Sequence, residues 1–491
     1  MFFERKTIMN QEFRKEEIIA ILRQFNPWWS NGPIYDLPVW RRPAFRDFID
    51  WIKAPNKDRS LVLTGPRQVG KTTLFRQVIQ DLIQSDVPPG NILYATFDHP
   101  LLKLIGQERV LQIWREYIPP KKKDGVVTDY LFLDEFQFMD GWDVWLKHQT
   151  DFQKHRRIAV TGSSASLLGQ GAESGVGRWM TIRLPTLSFY EYLLIRNENP
   201  LDEINERVTL AMFEDFSQRD RHDWADRARK LTPYFHHYLI RGGFPECALT
   251  DSIPRLQRLL REDIIDKILK RDMTAQFGVR QVLQLERLFL YLCLHDGSII
   301  NFSTISQSLG VQRQTVERYL GFFEATHLLS QLRSFGYGKE VLRGRTKYYL
   351  ADPSIASAVF LREMQPLEET TLLGKIVEST VFKHLTFETF RIPRMNYSFW
   401  KGSKDREVDI IVESGDRLVP FEVKYRSKTH TTTKDLRGLI EFCNEHHPKR
   451  AYVITQDPED IETIAVGNSA ILKIPAPLAC YLLGRFEHAV E

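Results

Sequence analysis

A chain of 491 residues is long enough for about three or four domains, each with its own core. Hydrophobic residues at 43% and charged residues at 26% exclude a disordered polymer, and a net charge of +4 permits nucleic acid without demanding it. No run reaches the roughly 20 apolar residues of a membrane span, and the first residues are too charged for a secretory leader, so no membrane partner is expected.

Cys247, Cys293, Cys443 and Cys480 lie far apart without metal-ligand spacing, which fits reduced thiols in a cytoplasmic protein. Residues 1–44 read as an N-terminal helix and connector. Helical periodicity runs over 11–25 through Phe13, Ile18, Ile19, Leu22 and Phe25 and stops at Asn26-Pro27. The Trp- and Pro-rich stretch Trp28–Pro43 is either a loop over the following site or a packing strap.

Residues 45–190 alternate short β-rich runs with helical stretches, the mark of a parallel α/β sheet. Strands are expected at 61–64, 91–97, 130–133, 158–161 and 181–184. After the first comes Gly65-Pro66-Arg67-Gln68-Val69-Gly70-Lys71-Thr72-Thr73, which meets every fixed position of G-x-x-x-x-G-K-[ST] between a strand and a helix. Backbone N–H groups of such a loop, with the helix N-terminus behind it, make an anion hole for phosphates. Lys71 would reach the β- and γ-phosphates, and the Thr72 hydroxyl would ligate Mg²⁺.

The apolar run Tyr130-Leu131-Phe132-Leu133 ends in Asp134-Glu135, about sixty residues later. Asp134 would hold the Mg²⁺ shell, and Glu135 would act as the general base on the attacking water. The next strand ends in Gly162-Ser163-Ser164, where Ser163 is the candidate sensor of the γ-phosphate and a polar turn is the plain alternative. Arg178 could stabilise transition-state charge from a neighbouring subunit, which would make the protein a homo-oligomer; a solvated loop arginine is the alternative.

Several blocks in order carry a resemblance. They are Asn26-Pro27-Trp28-Trp29, the phosphate loop, Leu133-Asp134-Glu135-Phe136-Gln137 and Thr161-Gly162-Ser163-Ser164-Ala165. Gly177-Arg178, Leu184-Pro185-Thr186-Leu187-Ser188-Phe189-Tyr190-Glu191-Tyr192, Arg241-Gly242-Gly243-Phe244-Pro245-Glu246 and Lys270-Arg271-Asp272 follow. Together they resemble the prokaryotic (archaeal and bacterial) AAA+ superfamily ATPases, in which a P-loop domain joins a C-terminal domain of unassigned function. Phe136 departs from the aliphatic residue often found there but is still apolar. The resemblance implies an ATP-dependent protein with a helical linker, a winged helix and a nuclease-like C-terminal fold. ATP, rather than GTP, as the cofactor rests on this resemblance, because the loop reads phosphates and not the base.

Residues 191–274 are expected as a helical lid or linker broken near Gly242-Gly243, and 275–364 as a winged-helix domain. A short helix, Phe302–Leu309, turns at Gly310 into a second running from about Gln312 to Leu329. Strands at 331–336 and 346–350 then flank a Gly/Arg-rich tip. Gln312, Arg313, Gln314, Thr315 and Arg318 are the candidate DNA contacts, although winged helices serve protein partners equally well.

In residues 365–491, expected as an α/β domain, Glu378, Asp409, Glu422 and Lys424 together resemble the site of the PD-(D/E)XK (restriction-endonuclease-like) superfamily. Glu378 lies in a helical stretch, Asp409 on a strand, and Glu422-Val423-Lys424 on the next strand. Period two puts Glu422 and Lys424 on one face and Val423 in the core. Three carboxylates hold one or two Mg²⁺ ions, and lysine stabilises the attacking hydroxide or the charged phosphorane. Lys401, Lys404, Arg406, Arg426 and Lys428 could neutralise phosphates, offset by Asp405 and Glu407. The alternatives are a surface strand of paired charges or a nuclease fold without activity. The expected protein is thus an ATP-hydrolysing, DNA-interacting enzyme. The alternative is an ATP-gated switch whose C-terminal domains bind a partner without cleavage.

Overall fold

β-rich runs separated by helices must form parallel pairs, because each crossover returns the chain to the same end of the sheet. Five such strands form: β1 (Ser60–Thr64), β2 (Ile92–Thr96), β3 (Asp129–Asp134), β4 (Arg156–Gly162) and β5 (Trp179–Arg183). Their order is β2-β3-β4-β1-β5, with every pairing parallel. This computed structural model describes residues 15–34, 37–55, 58–123, 125–162, 177–201, 208–273, 279, 281–336, 345–387, 395–426 and 432–485. The chain divides into two units, Met1–Leu184 and Pro185–Glu491. Among the described residues no helix is long and apolar enough to cross a membrane.

All of β1 is buried, as expected of a strand covered on both faces. One face packs Val62, Leu93, Leu131 and Val160 against Trp114 and the helix Lys15–Phe25. Phe48, Phe75 and Phe132 pack together, Phe75 and Phe132 edge-to-face with centroids 5.2 Å apart.

The edge strand β2 has unpaired backbone groups that need partners. Asn26 supplies them. Its amide nitrogen donates to Tyr94 O at 2.8 Å, and its amide oxygen accepts from Tyr94 N at 2.7 Å. The Trp28 and Trp29 indoles both donate to Ile92 O, at 3.2 and 2.8 Å. The Asn-Pro-Trp-Trp block therefore closes a sheet edge. The connector that follows is a packing strap: Gln77, on the helix Lys71–Gln84, donates to Pro38 O and Trp40 O at 2.9 Å each.

The second unit begins with helices and contains an eight-stranded sheet of order β12-β13-β11-β10-β9-β8-β6-β7, followed by the helix Ala476–Gly484. Its strands are β6 (Leu329–Ser334), β7 (Thr346–Leu350), β8 (Met395–Lys401), β9 (Glu407–Ser414), β10 (Arg417–Lys424), β11 (Arg450–Thr455), β12 (Glu462–Val466) and β13 (Ser469–Pro475). The helices Val282–Leu294, Phe302–Leu309 and Arg313–Ala325 precede the antiparallel hairpin β6–β7. The third helix stops at Ala325, short of the expected Leu329, because His327 turns the chain at φ 58° into β6.

One expectation needs correction. Strands β6 and β7 do not form a sheet of their own: β6 pairs in parallel with β8 through Arg333 and Ser334. Residues 275–364 and 365–491 therefore share one sheet.

A buried ion pair fixes the helical part of this unit. Lys383 Nζ donates at 2.8 Å to Asp352 Oδ2, at 2.8 Å to the Tyr238 hydroxyl and at 2.9 Å to Leu187 O. Gly243 N donates to the same Asp352 oxygen at 2.9 Å. Gly243 must approach this closely without a side chain. A Cβ there would stand 2.4 Å from Leu187 O and 2.8 Å from Lys383 Nζ. Gly243→Ala is therefore expected to destabilise the protein by about 1–3 kcal/mol or more, through forced backbone shift at a packed site. Urea unfolding followed by circular dichroism reads this, and an unchanged midpoint would remove the packing argument.

Candidate functional site

The phosphate loop leaves β1 at Gly65, whose φ of 152° favours glycine and whose Cβ would stand 2.1 Å from Leu184 O. Gln68 and Gly70 also take positive φ, at 58° and 94°, before the helix begins at Lys71. Such a run of turned peptides ahead of a helix N-terminus concentrates N–H groups on a concave face. Lys71 is only 5% exposed. Its ammonium donates to Gly65 O at 2.8 Å and Pro66 O at 2.7 Å, both within the loop. Arg42, from the strap, donates to Val69 O at 3.2 Å.

Across from the loop, the end of β3 delivers Asp134. Its Oδ2 accepts the Thr72 hydroxyl at 2.7 Å and the Tyr94 hydroxyl at 2.8 Å, and its Oδ1 accepts the Thr161 hydroxyl. The carboxylate is buried yet held by hydroxyl donors alone among these partners. Burial, with Asp134 beside it, pushes the Tyr94 phenol well above its ordinary range, so Tyr94 stays a donor.

Glu135 takes the left-handed conformation, φ 52°, ψ 41°, uncommon for a non-glycine residue and typical of functional turns. Its backbone N–H donates to the Thr161 hydroxyl at 3.0 Å, and Gln137 Nε2 donates to its Oε2 at 2.5 Å. Burial raises the Glu135 pKa against the pull of Lys71, and Asp134 raises it further. A carboxylate beside the phosphate loop is thereby made more basic.

The structure thus brings together Lys71, Thr72, Asp134 and Glu135. Ser163, the expected sensor, lies outside the described residues. Thr161, two residues earlier, bonds both carboxylate-bearing residues and was not singled out in the sequence. Tyr94 was missed as well, because a tyrosine in an apolar strand gives no signal of its polar end.

Arg178 stands at the other end of β1 from the phosphate loop. Its carbonyl accepts Ser60 N at 3.0 Å, at the start of β1, and its guanidinium pairs with Asp151 at 3.0 and 3.1 Å. Parallel pairing puts that point roughly 15 Å from the phosphate loop along the strand. Arg178 does not approach the loop within one chain, and it is ion-paired rather than freely solvated.

The second cluster lies in a cleft of about 550 Å³ that includes Lys347, Glu378, Glu407, Asp409, Glu422 and Lys424. Antiparallel pairing of β9 with β10 runs through Ile410 and Phe421, which brings Asp409 to the level of Glu422. Asp409 Oδ2 accepts Val423 N at 2.8 Å, and Lys424 is hydrogen-bonded to Glu422 Oε1. Glu378, from the helix Thr370–Thr386, accepts the Tyr349 hydroxyl at 2.7 Å. So Glu378, Asp409, Glu422 and Lys424 do converge. The expected burial pattern does not hold: Glu422 is 4% exposed, while Val423 is only partly buried.

Two members come from a segment expected to belong to another domain. Lys347 and Tyr349 stand two residues apart on β7 and so share a face. Lys347 Nζ lies 3.3 Å from Glu378 Oε1 and 3.9 Å from Asp409 Oδ1, and it also contacts Glu407. Burial would lower the Lys347 pKa, but the carboxylates of Glu378, Asp409 and Glu407 outweigh it and raise the value. Of the other expected cations, Arg406 is paired with Glu441, Lys401, Lys404 and Arg426 are exposed, and Lys428 lies outside the described residues. Gln312, Arg313, Gln314 and Arg318 are exposed, with Arg313 bonded to Glu317 at 2.8 Å.

Burial and the nearby Asp409 push Glu422 up to about 8, against the pull of Lys424. Burial likewise raises Glu378 to about 7, against Lys347. Between the ordinary carboxylate range and these values the folded state binds protons that the unfolded state has released. Their contribution to stability is therefore full at acid pH and lost as pH rises through about 7 to 8. Glu422→Gln, which cannot ionise, is expected to gain stability over the unsubstituted protein as pH is raised from 6 to 9. Denaturant midpoints across that range test it, and a pH-independent difference would argue against a strained carboxylate.

Residues 232–366 match a domain of unknown function (DUF8612), and residues 373–476 match another (DUF4143). An uncharacterized protein of Haemophilus influenzae is 25% identical over 78% of this chain and 86% of its own length. One from Methanocaldococcus jannaschii is 24% identical over 84% of this chain and 85% of its own. Among solved structures, the S. cerevisiae Hsp104–ADP complex is 14% identical with a TM-score of 0.31, over 58% of this chain and half (50%) of that one. DnaA from Aquifex aeolicus bound to AMPPCP is 15% identical with a TM-score of 0.24, over 57% of this chain and 86% of that one. Residues 57–193, which include the phosphate loop, Asp134 and Glu135, match an AAA domain, and with the loop's geometry this supports an AAA+ P-loop ATPase.

Proposed function

We propose that the protein binds and hydrolyses ATP in the first unit and uses that cycle to control nucleic-acid binding by the second. The observation that carries the ATPase reading is the 2.7 Å bond between Thr72 and Asp134. A hydroxyl and a carboxylate at that spacing fit one Mg²⁺ with two phosphate oxygens. When bound, the ion would neutralise charge between the phosphates. Lys71 would exchange its loop carbonyls for phosphate oxygens, and Glu135 would orient the attacking water and accept its proton.

The nucleic-acid reading is supported by the exposed polar side chains at the start of the helix Arg313–Ala325, ahead of a hairpin, in the manner of a winged helix. The carboxylate cleft would then be a PD-(D/E)XK-like site, with Asp409 and Glu422 holding Mg²⁺ and Lys424 beside them. One observation favours the second reading, a partner-binding switch without cleavage: the cleft already holds two lysine ammonium groups against its carboxylates. Under either reading a soluble cytoplasmic protein that works as a homo-oligomer is our expectation.

An ATPase assay with and without single-stranded, duplex and branched DNA separates the two readings. Lys71→Ala should lower turnover by about 100-fold or more, the scale of losing a main phosphate contact. DNA should raise the rate of the unsubstituted protein, and a protein that neither binds DNA nor responds to it sinks the nucleic-acid reading.

Substitution of Gln312, Arg313 and Arg318 by alanine should weaken DNA binding and flatten its salt dependence while leaving the basal ATPase rate unchanged. Fluorescence anisotropy across a salt series reads this, and an unaltered slope would move the contact elsewhere.

A further inference from the structure

Lys347 is 3% exposed, and its ammonium is surrounded by acids from two other elements. Glu378 Oε1 lies at 3.3 Å, Asp409 Oδ1 at 3.9 Å, and Glu407 is in contact. The Phe399 ring lies 5.3 Å away, and Tyr349 donates to the same Glu378 oxygen at 2.7 Å. An ammonium is a compact point charge with flexible donors, so among protein groups it is a close electrostatic substitute for a small cation.

A second observation comes from Glu422. Lys424 is bonded to its Oε1, but among the described residues Oε2 is buried with no hydrogen-bond partner. Leaving a buried carboxylate oxygen unpaired is costly, and a cation entering the cleft would relieve it. Among the described residues no three His, Cys, Asp or Glu side chains gather as a metal site, and the Lys347 ammonium sits where Glu378 and Asp409 approach each other.

We propose that Lys347 is a resident cation holding the place of a divalent metal ion in the Glu378–Asp409–Glu422 cleft, so that metal enters only in competition with this side chain. The charge arithmetic supports it. Lys347 and Lys424, two cations, face the four acids Glu378, Glu407, Asp409 and Glu422, and removal of one lysine widens that imbalance around an orphan oxygen. This rests on the reading of the cleft as a metal-dependent site, but occupancy and cleavage are measured apart.

Mn²⁺ titration of the nucleotide-free full chain, by calorimetry and by paramagnetic resonance of free Mn²⁺, tests the proposal. Lys347→Met keeps the stem and removes the charge. It should bind one Mn²⁺ at least about tenfold more tightly than the unsubstituted protein, the scale of one unit charge removed a few ångström away. Lys347→Arg should show no gain, and adding Asp409→Asn to Lys347→Met should abolish it. Lys347→Gln is run beside Lys347→Met, and folding of either variant that depends on Mn²⁺ counts as the gain. Unchanged Mn²⁺ affinity in both variants, or a gain that survives Asp409→Asn, overturns the proposal. If Lys347→Met gains metal but cuts no DNA, occupancy stands and the nuclease reading falls. If the unsubstituted protein cuts DNA and Lys347→Met leaves metal affinity unchanged, the nuclease reading stands and occupancy falls.

Discussion

The Lys383–Asp352 pair is the constraint on which the second unit depends. Burial alone would raise the Asp352 pKa, but Lys383 and the Ser354 and Thr186 hydroxyls hold it below the ordinary carboxylate range. The lysine's three bonds join the segment at Leu187, the long helix Gln218–Arg241 through Tyr238, and the second residue after β7, Asp352. Removing one partner of such a pair leaves a buried charge uncompensated, at a cost of about 3–5 kcal/mol. The next residue, His384, is held neutral at about 3 by burial and by Lys383. Its Nε2 accepts from Phe189 N at 2.9 Å, at the start of a helix already closed by the reciprocal Ser188–Glu191 capping box. Two adjacent side chains on one helix thus tie down several separate segments.

Seen this way, the sequence blocks that carry the family resemblance divide by physical role. The phosphate loop and Asp134-Glu135 are chemical. Asn26-Pro27-Trp28-Trp29 closes a sheet edge, Ser188 to Glu191 caps a helix, and Gly243 makes room for Leu187 and Lys383. A glycine pair before Phe-Pro announces only a turn, and its need for close approach is set by residues far away in sequence. The same holds for Asn26, whose partner Tyr94 is sixty-eight positions on.

What was legible followed local rules. The five parallel strands, the phosphate loop and the convergence of Asp409 with Glu422-Val423-Lys424 all come from periodicity, composition and hairpin spacing. What escaped was long-range. Lys347 lies in Thr346-Lys347-Tyr348-Tyr349, a sequence that reads as the far strand of an independent wing. Only the pairing of β6 with β8 reveals that the wing extends the neighbouring sheet and carries Lys347 into its cleft. The end of the sheet at which Arg178 stands was illegible for a related reason. A Gly-Arg ahead of a strand looks the same whether it faces the ligand end of the sheet or the opposite one, and parallel register decides between them.

The two clusters meet the same problem, polar groups gathered in a poorly solvated place, by different means. In the first, Asp134 is held by the hydroxyls of Thr72, Tyr94 and Thr161, and Lys71 by two loop carbonyls. Neutral partners of that kind are exchanged at modest cost, because a hydrogen bond to a neutral group is worth little more than its replacement. In the second, carboxylates are held by Lys347 and Lys424, whose displacement would expose buried charge on both sides. A site stabilised by neutral donors can trade them for an incoming ligand. A site stabilised by its own fixed cations must first lose one. The β6–β7 hairpin that supplies Lys347 directly follows the helix Arg313–Ala325, so that helix is covalently close to the ammonium in the cleft.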